Sequence, residues 1–125
     1  MSQSVLIVDD EQYIVTSLEF VMKNAGFDVS VAFDGEEALA KVNEIVPDLV
    51  ILDVMMPKLD GFEVLEKIRA NAGLASVRVV MLTAKGRDSE RERGLAAGAD
   101  DYLTKPFSTR DILKRVKEIL NKERT

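Results

Sequence analysis

Val5-Leu6-Ile7-Val8-Asp9-Asp10, near the amino end, and Leu49-Val50-Ile51-Leu52-Asp53, near the middle, are two unbroken apolar runs that each end in acid. Four branched aliphatic residues in a row read as a strand buried on both faces, the pattern of a parallel sheet covered by helices. The stretches between such runs carry helical periodicity, so the connections read as βα crossovers, and the strands of a parallel sheet all end at one edge. Asp9, Asp10 and Asp53 should therefore meet there. Close carboxylates repel and raise one another's pKa, a cost that a hard divalent cation with oxygen ligands removes. The first expectation is a Mg²⁺ site.

Working outward, strand-type runs lie at 4–8, 28–32, 48–52, 77–82 and 101–104, each followed by a helical pattern. That makes five βα units. In the first helix Ile14, Leu18, Val21, Met22 and Ala25 form the apolar face, and Gly26 is placed to end it. Asp34 and Glu37 have the spacing of a capping box for the second, which Pro47 stops, and Ser108 with Asp111 opens the fifth in the same way. Ile112, Val116, Ile119 and Leu120 are the inward stripe of that last helix. The helices at 61–71 and 88–97 are shorter, and the second of these is so poor in apolar residues that it is predicted to be loosely held.

Composition narrows the chemistry. At 125 residues, 46% hydrophobic and 31% charged, the chain is long enough for one domain with one core, here taken as residues 1–125 with no effector domain in this chain. No apolar stretch approaches the roughly 20 residues of a membrane span. Without cysteine there is no disulfide, thiol nucleophile or thiolate metal site, which fits a reducing cytoplasmic location. Without histidine there is no imidazole base, ligand or phosphocarrier, so carboxylate, hydroxyl and lysine chemistry remain. A formal charge of −5 argues against direct nucleic-acid binding.

In open α/β sheets ligands bind beyond the carboxyl ends of the strands. Strand one ends in Asp9 and Asp10, strand three in Asp53, strand four in Thr83 and strand five in Lys105; strand two offers only Phe33 and Asp34, which puts it at the sheet's edge. Two acids for a metal, one acid as nucleophile, a hydroxyl and an ammonium are what phosphoryl transfer to a carboxylate requires. Asp53 would attack phosphorus, with Mg²⁺ held by Asp10, Asp53 and the Met55 backbone carbonyl and by Asp9 through water. Lys105 and Thr83 would bind the phosphoryl oxygens. Each residue alone has a plainer reading: Asp10 as a helix cap, Thr83 as a hydroxyl bonded to backbone, Lys105 as a solvated cation. Gly86, Gly94 and Gly98 read as turn or cap glycines, since no phosphate-binding glycine motif occurs. Pro57 and Gly61 frame the loop after Asp53, and the Lys105-Pro106 bond is open to either isomer.

The segments V-L-I-V-D-D-E, L-D-V-M-M-P-K-L-D-G, M-L-T-A-K and D-Y-L-T-K-P-F, in this order, resemble the receiver domain of two-component response regulators along nearly the whole chain. The resemblance implies a flavodoxin-like (βα)5 fold, a five-stranded parallel sheet of order 2-1-3-4-5 with helices on both faces. It implies that Asp53 takes phosphate from the phosphohistidine of a sensor histidine kinase, and that the chain is no turnover enzyme but catalyses its own phosphotransfer and autodephosphorylation. Phosphorylation would draw the Thr83 hydroxyl inward and carry the Tyr102 ring from an exposed to a buried position, presenting a changed surface to a downstream protein target or effector domain. Around helix four, strand five and helix five, Arg91, Asp101, Asp111 and Arg115 resemble receivers of the OmpR/PhoB type, which implies a phosphorylation-dependent homodimer with charges paired across a two-fold axis. Met55 and Lys85, each two residues beyond a site residue, are expected to slow self-hydrolysis. The rival functions are a phosphorylation-independent interaction module, a flavin carrier and a Mg²⁺-dependent phosphohydrolase, the last disfavoured by Met55 where a second acid would stand.

Overall fold

Five parallel strands, β1 (Ser4–Val8), β2 (Asp28–Ala32), β3 (Leu49–Asp53), β4 (Arg78–Ala84) and β5 (Asp101–Lys105), form one sheet in the order β2-β1-β3-β4-β5. The helices are α1 (Gln12–Asn24), α2 (Gly35–Ile45), α3 (Gly61–Ala70), α4 (Asp88–Ala96) and α5 (Thr109–Asn121), with a 3-10 turn at Ala72–Leu74. This is the expected flavodoxin-like arrangement, with β2 at an edge. The computed structural model describes residues 3–56, 58–84 and 88–121.

Strand alternation divides the core in two. Leu6, Val8, Val50, Leu52, Val79 and Met81 face α2 and α3, meeting Val42, Val64, Leu65 and Ile68. Val5, Ile7, Leu49, Ile51, Val80 and Leu82 face α1 and α5, meeting Leu18, Met22, Ile112 and Val116. Because both faces are covered, the inner strands carry unbroken apolar runs, Val5 to Val8, Leu49 to Leu52 and Val79 to Leu82, which is why those runs were legible.

The helices depart from expectation in detail. On α1 the buried residues are Ile14, Val15, Leu18 and Met22, while Val21 and Ala25 are only half-buried; the inward face is turned toward Val15. The Glu37 backbone N–H donates to Asp34 as expected, but the Glu37 carboxylate reaches past the cap to accept from the Phe33 N–H. The complete capping box belongs to α3, where Asp60 and Glu63 satisfy each other's backbone N–H groups, a pair that the sequence reading passed over. The amino end of α1 carries no side-chain cap from its N-cap residue, Glu11, so Asp10 is not a helix cap.

Strands β3, β4 and β5 run one or two residues past the expected ends. Asp53 pairs with Leu82, Thr83 with Thr104 and Ala84 with Lys105. The site residues on these strands are therefore held by the ladder itself rather than by loops.

Candidate functional site

The acids converge as the strand ends require. Carboxylate oxygens of Asp9, Asp10 and Asp53 all lie within 4.8 Å of one another, with Asp9 and Asp53 buried and Asp10 exposed. Lys105 reaches across from β5 to place Nζ 3.0 Å from Asp9 Oδ2, 3.1 Å from Glu11 Oε1 and 3.4 Å from Asp53 Oδ1. The Lys105-Pro106 bond that follows is cis. Three carboxylates thus crowd one ammonium and Asp10 adds a fourth beside them, an excess of negative charge that a small divalent cation would offset.

Burial governs the titration. Desolvation, reinforced by the neighbouring Asp9 charge, pushes the Asp53 carboxyl up to about 7, against the pull of Lys105 and of a hydrogen bond from the Met55 backbone. Asp9 is raised for the same first reason, although the Glu11 N–H donates to it at 2.9 Å and Lys105 stands close. Burial works against the Lys105 ammonium too, but Asp9, Asp53 and Glu11 outweigh it and hold the group above the ordinary lysine value. Asp9 Oδ2 is fully buried and, despite the nearby ammonium, accepts no hydrogen bond among the described residues.

Thr83 stands at the same carboxyl edge of the sheet, one residue beyond the Leu82 that pairs with Asp53. Thr83, two residues beyond Met81, shares that residue's face, and Tyr102 belongs to the same core. Thr83 is buried, and its hydroxyl donates to the Glu90 carboxylate on α4. The Tyr102 ring is already buried at 5% exposure. It lies so close to α4 that a Cβ on Gly94 would stand 3.0 Å from the ring and 3.1 Å from Met81 Sδ.

The sequence places Glu11 with Asp9 and Asp10 in one acidic segment but does not pair it with Lys105, and it gives Glu90 no role. Nothing about Glu90, seven residues past Thr83 on a polar helix, marks it. Met55 has its side chain in solvent, 60% exposed, and Pro57 and Lys85 lie outside the described residues. Of the charged residues expected to pair across a two-fold axis, Asp101 and Arg115 pair within the chain, while Arg91 and Asp111 are exposed. Among the described residues no helix is long and apolar enough to cross a membrane.

This chain matches known proteins along almost its whole length. The family described as the response regulator receiver domain matches residues 5–117. The alkaline phosphatase synthesis transcriptional regulatory protein PhoP of Bacillus subtilis is 48% identical over 122 residues, which is 98% of this chain and 50% of that protein, so the chain spans about half the length of this curated relative. A putative response regulator from Chloroflexus aurantiacus superposes with a TM-score of 0.92 at 38% identity, over 98% of this chain and 100% of that one. A CheY-like response regulator receiver domain protein from Methanospirillum hungatei gives 0.90 at 31% identity, over 97% of this chain and 95% of that one.

Proposed function

The chain belongs to the response regulator receiver family, and from that premise we propose that it is switched by a phosphoryl group carried on Asp53 and delivered by the phosphohistidine of a sensor histidine kinase. The observation that carries this reading is a buried carboxylate beside a lysine ammonium, 3.4 Å away, at the centre of an acid cluster. An Asp53 oxygen forms the bond to phosphorus as the phosphorus–nitrogen bond of the donor breaks, leaving a mixed anhydride on Asp53 and imidazole on the kinase. Lys105 neutralises a phosphoryl oxygen, and the Thr83 hydroxyl donates to another once released from α4.

The donor set fits Mg²⁺. Asp9, Asp10 and Asp53 offer hard oxygen ligands within 4.8 Å of one another, and the single Lys105 ammonium leaves negative charge there that a divalent cation would offset. When bound, the ion supplies positive charge to the transferring phosphoryl group. The Met55 carbonyl is the remaining protein ligand in this reading. In dephosphorylation water attacks the same phosphorus as its bond to the Asp53 oxygen breaks, giving inorganic phosphate and the free carboxylate, so in this reading the chain assists its own dephosphorylation rather than turning over a substrate.

The output surface in this reading is α4, β5 and α5, acting in the cytoplasm on a downstream protein or an effector domain, with residues 1–125 as the receiver. Treatment with acetyl phosphate and Mg²⁺ followed by peptide mapping is expected to place the label on Asp53 and nowhere else. A label on another residue, or none in the wild type, overturns the assignment.

A further inference from the structure

We propose that Glu90 is a positioning residue that competes with the phosphoryl group for the Thr83 hydroxyl, so that its carboxylate sets how readily Asp53 enters and keeps the phosphorylated state. The inference rests on the reading of Asp53 as phosphoacceptor. A threonine hydroxyl has one proton to donate. Here that proton is given to Glu90, in a charge-assisted bond of the stronger kind. Phosphoryl binding and α4 binding by Thr83 therefore exclude each other.

The surroundings make this contact consequential. No described side chain of α4 is a buried apolar one; among the described residues its contacts include the Thr83–Glu90 bond, Arg93 stacked 4.2 Å from the Phe62 ring centroid, and the close approach at Gly94. Just beyond its carboxyl end, Arg69 anchors the Gly98 carbonyl at 2.9 Å and pairs with Asp100 at the same distance. Releasing Glu90 thus loosens the amino-terminal half of α4 about a fixed far end. The Tyr102 ring is buried already, so the movement left to phosphorylation is that of the Thr83 hydroxyl, which Glu90 opposes. By reciprocity, whatever weakens the Glu90 contact favours the phosphoryl site by the same factor.

The test is a double-mutant cycle read by calorimetric binding of beryllofluoride with Mg²⁺, supported by hydrogen exchange of the metal-free protein. Glu90→Ala is expected to bind beryllofluoride about tenfold tighter than wild type, the scale of one hydrogen bond to a charged partner. Glu90→Gln, which keeps an acceptor, should gain less. In a Thr83→Ala background the Glu90→Ala gain should vanish. Without metal or anion, amides in the first half of α4 should exchange faster in Glu90→Ala and Thr83→Ala alike, and no faster in the double variant. An equal gain without the Thr83 hydroxyl would mean that Glu90 acts only as a charge; an unchanged or weaker Glu90→Ala, or unaltered α4 exchange, would likewise overturn the proposal. A wild type that binds no beryllofluoride would instead bring down the reading of Asp53, and this one with it.

Discussion

A carboxylate poised to titrate at about 7 makes Asp53 a source of instability in the metal-free fold. Between its ordinary 3.8 and about 7 the folded protein keeps a proton that the unfolded chain releases, so stability falls as pH rises through that window. Asp9, raised by the same burial, pushes in the same direction. In a chelator, urea unfolding should therefore be harder at about pH 5 than at about pH 8, and Asp53→Asn should flatten the dependence and stabilise the alkaline end on the order of 2 kcal/mol. Steeper loss of stability in the Asn variant would contradict this. Lys105→Ala tests the opposite charge: it leaves the buried Asp9 and Asp53 without their cation, and a loss of about 3 kcal/mol in the metal-free protein is expected. Mg²⁺ should restore much of it. Asp53 and Asp9 were legible because each ends an apolar run, and Lys105 because it ends the last strand-type run; Glu11 and Glu90 carry no such mark, and only the packed chain brings them to Lys105 and Thr83.

Two glycines decide how the elements seat around the site. A Cβ on Gly61, the first residue of α3, would stand 2.4 Å from the Asp53 backbone carbonyl oxygen and 2.9 Å from Val54 Cα. Backbone atoms of a buried strand cannot yield, so Gly61→Ala should cost more than about 2 kcal/mol and distort the loop after Asp53. Denaturation midpoints combined with Mg²⁺ affinity check both. At Gly94 the obstacle is the Tyr102 ring, which can swing away. Gly94→Ala should lift α4 or turn the ring out for a smaller loss of about 1–2 kcal/mol. The chain has two tyrosines and no tryptophan, so Tyr13→Phe leaves Tyr102 as the one tyrosine emitter, and its quenching by acrylamide should rise in Gly94→Ala. An unchanged ring exposure would mean that α4, not Tyr102, gives way. The sequence marked α4 as poorly anchored from its lack of apolar residues; that its packing depends on a missing side chain at Gly94 is a matter of distance, invisible without coordinates.

At the scale of the molecule the question is what the α4-β5-α5 face does once the site is charged. Asp101 and Arg115 already satisfy each other within one chain, so a two-fold assembly must exchange an internal ion pair for an external one, with little net gain from the charges themselves. Arg115→Ala should leave the isolated domain within about 1 kcal/mol of wild type. Sedimentation with beryllofluoride and Mg²⁺ should reveal a dimer in the wild type that the Arg115→Ala variant weakens by no more than about tenfold; loss of the dimer in that variant would mean that the charges carry the contact. The sequence by itself determined the number of βα units, the parallel sheet with β2 at its edge, and the meeting of Asp9, Asp10, Asp53 and Lys105, because strand period and crossover handedness leave few other arrangements for such runs. What only the tertiary structure decided is which partner each polar group takes: the Thr83 proton given to Glu90, Lys105 shared among three acids, and Arg115 turned inward to Asp101. Those choices follow from distances between segments far apart in the chain, and periodicity carries no information about them.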